Sequence, residues 1–404
     1  MIRDGLKFAL PRVIRGNRGD LASRWALMRS LHSLNIKTLS VFCENPDDIP
    51  PVGFPSYSYG KIRNLLQSGS GKDALREADT ILWAVGLDLQ DDSSLTKLIF
   101  LRLLFGVYRR QGKKIWCVFQ GAGPIRTKLG KLLATSLLEQ VDIFIARDPA
   151  SFRLVKSIAP RLEVRQAHDA IFLPGLELDL KESVPLPVEL ETVFSNSAPV
   201  VGINLRQWFH FSSSMLPYEI SQHGYQHRSE TKMAALINQT TQLIGNIRNS
   251  YPDAHILLIS AYQANQVNWE DDTPWLARVQ AFFGNDDHIH LGNQALTIPQ
   301  YFQAISRLDL MVAMRLHSSL IALRFGVPAI NISYTLKGRD IYQQLGLMEN
   351  VLNLDQFMQQ GPEQITGMIR TILEEPQLKR QIVRAATQAA IAQNMTVLNS
   401  LFRP

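Results

Sequence analysis

The sequence predicts an α/β protein of two Rossmann-like, doubly wound domains facing each other across a cleft. Three observations lead there. The 404 residues exceed what one ordinary core needs and suit two domains of usual size. Short apolar runs rich in β-branched residues alternate with helical patterns along the whole chain, as parallel βαβ units require. A stretch rich in Pro, Glu and Ser, from Pro174 to Pro199, separates two such series. The expected division is residues 1–175, a linker over 176–199, and residues 200–404, with the last helices free to cross back onto the first domain.

In the first half, strands are expected at 37–43, 80–85, 114–119 and from 142 to about Arg147, with helices over Asp20–Leu34 and Thr127–Leu138. In the second half they are expected at 200–206, 255–260, 288–291, 308–314 and 328–333. Helices there fit Thr231–Asn249, Ile298–Ser306, Ser318–Phe325 and Gly361–Glu374. Asp148 is a good N-cap and Pro149 suits the first helical position, so a helix follows the strand that ends at Arg147.

Composition narrows the function classes. An apolar fraction of 46% with 19% charged residues describes a folded globular chain. The net charge of +6 suits an anionic substrate, nucleic acid or a membrane surface. The basic residues are dispersed and form no tail or aromatic–basic repeat, which argues against nucleic acid. Cys43 and Cys117 stand alone in apolar runs, as buried thiols of a reducing, cytoplasmic compartment do. The N-terminal stretch is too interrupted for a signal peptide, and no run has the length to span a bilayer. The nearest to one, Lys97–Arg110, reads as a domain helix with a basic end; peripheral contact with the inner face of a membrane stays open for it.

In open parallel sheets ligands bind beyond the carboxyl ends of the strands. After the strand at 308–314 stand Arg315, Leu316, His317 and Ser318, which open a helix. After the next strand stands Lys337. Backbone N–H groups at that helix start, a planar Arg fork and a movable Lys charge together suit a phosphate or carboxylate. Two residues apart in extended chain, Arg315 and His317 would point the same way. The plain alternative pairs Arg315 with a nearby acid such as Asp309 and leaves His317 as a helix cap.

Other strand ends add candidates. Arg147 would enter the cleft from the first domain. Arg206 precedes an expected irregular segment, Gln207–Ser229, carrying Trp208, Phe209, His210, Tyr218, His223, Tyr225 and His227. Such a segment handles sugars or is simply a surface loop. The turns containing Asn17 and Asp20, and Gly121 and Gly123, can bring backbone amides close to a ligand. Asp91–Asp92, Asp271–Asp272 and Asp286–Asp287 have no accompanying His or Glu cluster and read as solvated loop charges, so no metal is expected.

The string MRLHSSLIALRFGVPAINISYTLKG resembles the C-terminal signature of the polysaccharide pyruvyl transferase family. The resemblance extends to Asn17–Asp20, Gln120–Pro124, Ala146–Asp148 with Ser151, and Gly202–Arg206, and so covers about residues 13 to 348. It implies a GT-B-like fold, with an acceptor side in the N-terminal domain and a donor side in the C-terminal one. It also implies transfer of a pyruvyl group from phosphoenolpyruvate to a sugar, as a ketal. The acceptor would be a sugar or lipid-linked oligosaccharide of a cell-surface or exopolysaccharide precursor, with no cofactor beyond phosphoenolpyruvate as co-substrate. The family's functional positions carry over as His317, Arg147 and Lys337 for catalysis, and Arg315 with the Leu316 backbone for binding; Ser318, Arg206, Asn17, Asp20, Gly121 and Gly123 complete the expected binding set. One departure is Ala84–Asp88, where the family usually has a glycine pair. Two other readings stay open: a GT-B glycosyltransferase using a nucleotide sugar, and a non-catalytic sugar- or anion-binding relative.

Overall fold

The computed structural model describes residues 5–58, 69–91, 95–181, 184–195, 197–207, 218–262, 271–292 and 296–402. The first half runs β1 (Phe8–Leu10), α1 (Arg18–Ser33), β2 (Leu39–Cys43), β3 (Ser56–Ser58), α2 (Ser70–Glu77), β4 (Thr80–Ala84), β5 (Leu87–Leu89), α3 (Leu95–Arg110), β6 (Lys114–Ala122), α4 (Lys128–Leu138), β7 (Ile143–Ala146), α5 (Pro149–Ile158) and β8 (Glu163–Gln166). Its sheet is parallel in the order β3-β2-β1-β4-β6-β7-β8, with β5 paired to the end of β6. Strand order reverses between β1 and β4, which opens the crevice where such sheets hold ligands.

Two short helices, α6 (Leu176–Lys181) and α7 (Val188–Val193), lead to the second half. They correct the picture of a spacer. Leu176, Leu190 and Val193 are buried; Asp179 accepts from Trp25 Nε1 (2.9 Å) and pairs with Arg29, so α6 packs against α1, while Glu191 of α7 pairs with Arg307.

The second half runs β9 (Val200–Asn204), α8 (Tyr218–Ser250), β10 (His255–Ile259), α9 (Thr273–Ala281), β11 (Ile289–Gly292), α10 (Ile298–Ser306), β12 (Leu310–Ala313), α11 (Leu316–Arg324), β13 (Ala329–Ser333), α12 (Leu336–Leu345), β14 (Val351–Asn353), α13 (Leu354–Gln360), α14 (Glu363–Glu374) and α15 (Pro376–Phe402). Its parallel sheet is ordered β11-β10-β9-β12-β13-β14, with the reversal between β9 and β12.

The short strands β1, β3, β5, β8 and β14 were not expected; all but β8 have only three residues, too few to show alternation. Helix α8 begins at Tyr218, so much of the expected irregular Gln207–Ser229 segment is helical. Trp208, Phe209 and His210, and the side chains of Tyr218, His223, Tyr225 and His227, lie outside the described residues.

The long helix α15 returns to the first half. Phe402 packs its ring 5.5 Å from Phe8 and 5.7 Å from Trp116, centroid to centroid. The Asn394 side chain accepts from His168 N (2.8 Å) and donates to the Asp169 carbonyl (2.9 Å). One apolar core therefore runs through both halves, from Phe8 to Phe402, and fixes the two sheets' carboxyl ends toward each other. Cys43 and Cys117 are buried free thiols.

Candidate active site

Strand β12 delivers Arg315, and the chain turns at once into α11, with Arg315 as the N-cap residue. His317 lies in the first turn. Its imidazole sits between two carboxylates of the other half: Nδ1 is 3.8 Å from Asp20 Oδ1, and Nε2 is 3.4 Å from Asp169 Oδ2. The second distance is in ion-pair range without hydrogen-bond alignment. Asn17 makes this approach possible. Its Oδ1 accepts from Gly19 N (3.1 Å) and Asp20 N (3.3 Å), starting α1 beneath the imidazole. Gly19 is what lets the helices touch, since a Cβ there would stand 2.2 Å from His317 Cβ. Gly19→Ala is expected to cost about 1–3 kcal/mol of stability through overpacking, seen as a lower urea midpoint; an unchanged midpoint would show that the contact yields freely.

Asp169 was not found from sequence, and it is the centre of the site. It is 1% exposed, at the start of a 3-10 turn over Ala170–Phe172. Its Oδ1 accepts from Ser23 Oγ (2.8 Å) and Ile171 N (3.0 Å), while Oδ2 takes Arg147 Nη1 (3.2 Å) and faces His317. Burial alone would raise its pKa, but the neighbouring His317 and Arg147 charges and the Ile171 N–H hold it well below the ordinary carboxylate value. The only trace in sequence is an acid directly ahead of the apolar run Ala170–Leu173.

Arg147 leaves β7 just before the Asp148 cap, whose carboxylate accepts from Ser151 N (2.7 Å). It crosses above Gly121, where a Cβ would stand 3.1 Å from Arg147 Nε. Lys337, in the first turn of α12, donates across the cleft to the Gly123 carbonyl (2.7 Å). His317, Arg147, Lys337, Asn17, Asp20, Gly121 and Gly123 are thus brought together from both sheets. Among the described residues, His317 Nε2, Arg147 Nε and Arg12 Nη1 are buried there without hydrogen-bond partners. Buried donors in that condition mark a place built to meet something else.

Arg315 departs from expectation. Arg315 is itself extended, but the helix begins at Leu316, so Arg315 and His317 do not lie in one extended run and their side chains diverge. Its guanidinium grips the fully buried Asp272, with Nε 3.1–3.2 Å and Nη2 2.8 Å from the carboxylate, and lies 5.5 Å from the Tyr262 ring. Asp272 is therefore no solvated loop charge, and burial raises its pKa. Asp91 is likewise buried, accepting from the Arg126 and Thr127 amides and the Thr127 hydroxyl. Asp309, the acid suggested for Arg315, instead accepts from Val200 N and Arg380. Arg206 stacks 5.0 Å over Tyr334, bonds its hydroxyl and is close enough to act on Asp272. Two arginines against one carboxylate leave this wall cationic. The Ser318 hydroxyl is occupied by Tyr301 OH (3.1 Å), and Leu316 packs half-buried against the core.

On the N-terminal side, Asp88 accepts from Arg12 Nε (2.8 Å) and Trp83 Nε1 (3.0 Å) and pairs with Lys97 (2.6 Å). In the Ala84–Asp88 turn Val85 adopts φ 61° and Gly86 φ 97°. Two successive residues thus take a left-handed conformation that glycine adopts freely and that strains the β-branched Val85. Among the described residues no group of His, Cys, Asp and Glu has the arrangement of a metal site.

The family model described as polysaccharide pyruvyl transferase matches residues 17–335. The amylovoran biosynthesis protein AmsJ of Erwinia amylovora is 31% identical over 86 residues, which are 21% of this chain and only 20% of that relative's length. Among solved structures, UDP-GlcNAc 2-epimerase from Neisseria meningitidis, bound to UDP-GlcNAc, is similar with a TM-score of 0.59 at 11% identity, covering 99% of this chain and 100% of that one. Anabaena HepE in complex with UDP-glucose gives 0.57 at 13% identity, covering 98% and 99%. These likenesses establish the GT-B-type two-domain fold.

Proposed function

The chain belongs to the polysaccharide pyruvyl transferase family, and from that premise we propose that it moves the pyruvyl group of phosphoenolpyruvate onto two hydroxyls of a sugar in a cell-surface or exopolysaccharide precursor. The observation that carries the reading is the Asp169 carboxylate joining Arg147 of one sheet to His317 of the other, with Lys337 reaching across beside them.

Phosphoenolpyruvate carries roughly three negative charges near neutral pH. Arg147 and Lys337 face it in the cleft, and the Arg206–Arg315 wall adds to the positive field. The α11 N-terminus, with the Leu316 amide, offers a further donor. In the reaction, a proton is added to the methylene carbon while a sugar hydroxyl oxygen bonds the central carbon. The C–O bond to phosphate then breaks, and a second hydroxyl closes the ketal, its proton leaving with phosphate. His317 is the general acid and base. The cations stabilise the carboxylate and the departing phosphate. No cofactor beyond the co-substrate is invoked, and the reaction runs in the cytoplasm.

A second reading is a nucleotide-sugar enzyme, favoured by the bound UDP-sugars of the structural neighbours. Thermal shift separates the two. Phosphoenolpyruvate at roughly 100 times its Kd should add about 2.7 kcal/mol of stability, and a sugar acceptor should then trigger phosphate release. Stabilisation by UDP-sugars alone would overturn the pyruvyl reading.

A further inference from the structure

The outer faces of α3 and α4 form one surface. Arg102 Nε donates to Ser136 Oγ (2.8 Å), and Gln140 Nε2 donates to the Arg102 carbonyl (3.2 Å). Gly106 faces Gln140 at the same 34-residue offset as Arg102 and Ser136, so the helices lie parallel. Outward from this pair project Ile99, Phe100, Leu103 and Val107 of α3 and Leu129 and Leu132 of α4. Leu103 is 54% and Leu132 67% exposed, values unlike those of a core helix face.

The charge around this stripe is mainly positive. Neither helix contains an acidic residue. Arg102, Arg110, Arg126, Lys128 and Lys131 are exposed around it. The nearest acids in sequence are Asp91 and Asp92, just ahead of α3, Glu139, just past α4, and Asp142; Asp91 is buried against the Arg126 and Thr127 amides, and Asp142 is already paired with Arg109. A second copy docked on the same face would set these cations against their own kind. An anionic lipid surface offers both what the apolar side chains and what the cations need.

The surface also adjoins the cleft. Helix α3 follows β5, and α4 follows the turn whose Gly123 carbonyl receives Lys337. Both helices therefore begin at the sheet end where the candidate site lies.

We propose that α3 and α4 dock the protein on an anionic bilayer, with Leu103, Leu132 and their neighbours entering the acyl boundary and the surrounding Arg and Lys meeting headgroups. The docking stands apart from the reaction proposed above; taken with it, it assigns the acceptor to the class of lipid-linked sugars.

Co-sedimentation of the full chain with vesicles tests it. Vesicles containing phosphatidylglycerol should pellet the protein, and pure phosphatidylcholine vesicles should do so at least roughly tenfold less well. Raising salt from about 0.1 M to about 0.5 M should weaken the binding. The double variant Leu103→Glu and Leu132→Glu, both at exposed positions, should keep the wild-type melting temperature and lose vesicle binding by roughly tenfold or more. Equal binding to both vesicle types, no binding by the wild type, or a double variant that binds normally would each overturn the proposal. So would sedimentation velocity showing that the double variant merely splits a dimer whose wild type ignores vesicles. A failed vesicle assay with intact phosphate release would remove the docking alone and leave the reaction standing.

Discussion

Replacing His317 with Ala is expected to reduce turnover by roughly 10²–10⁴-fold, the range that a positioned acid–base group contributes. Binding of phosphoenolpyruvate should weaken only modestly, because Arg147, Lys337 and the α11 N-terminus remain in place. The asymmetry follows from geometry. The imidazole is held between Asp20 and Asp169 in the first turn of α11, where it can exchange a proton without being the main charge partner of the substrate. Single-turnover phosphate release and calorimetric titration of phosphoenolpyruvate read the two effects separately. Wild-type turnover by the variant would remove His317 from the chemistry.

The second large effect is expected at Asp169. Removing one partner of a buried ion pair costs about 3–5 kcal/mol, because the other charge is left without compensation. Asp169→Ala would leave Arg147, 5% exposed, in that state, and would also strip Ser23 Oγ and Ile171 N of their acceptor. A correspondingly lower urea midpoint is the expected result. Asp169→Asn is the informative companion. It keeps an oxygen for Ser23 and Ile171 but loses the charge that faces Arg147 and His317. Stability should fall less than for Ala, while kcat falls and the pH profile of turnover moves, a change that simple loosening of the fold would not produce. An Ala variant that unfolds with the wild type would show that the carboxylate does not tie the two halves together.

These expectations rest on residues of unequal visibility in the sequence. His317 and Lys337 could be singled out because each directly follows an apolar strand, and Arg147 because an Asp–Pro cap fixes where its strand stops. Asp169 could not. It follows the short strand β8 in a stretch with no periodicity, and its partners are 22, 146 and 148 residues away (169 − 147, 169 − 23, 317 − 169). Arg315 was visible but its direction was not, since a helix that starts at Leu316 takes His317 out of the extended run that holds Arg315. Its true partner, Asp272, read as one of a pair of loop acids, because burial of a charge is a property of what packs over it.

By itself, the sequence determined the α/β class, the long strands and helices and the cationic residues at strand ends. Each of these depends on local period, capping and the backbone's need to pair its own polar groups. The tertiary structure decided which charges meet. Only with α15 packed against β1 and β6, and Gly19 against His317, do Asp20, Asp169, Arg147 and Lys337 share one cleft. Whether a carboxylate is a solvated loop charge or the buried centre of a site is set by the dielectric and donors around it. Distant segments supply both, and no local pattern encodes them.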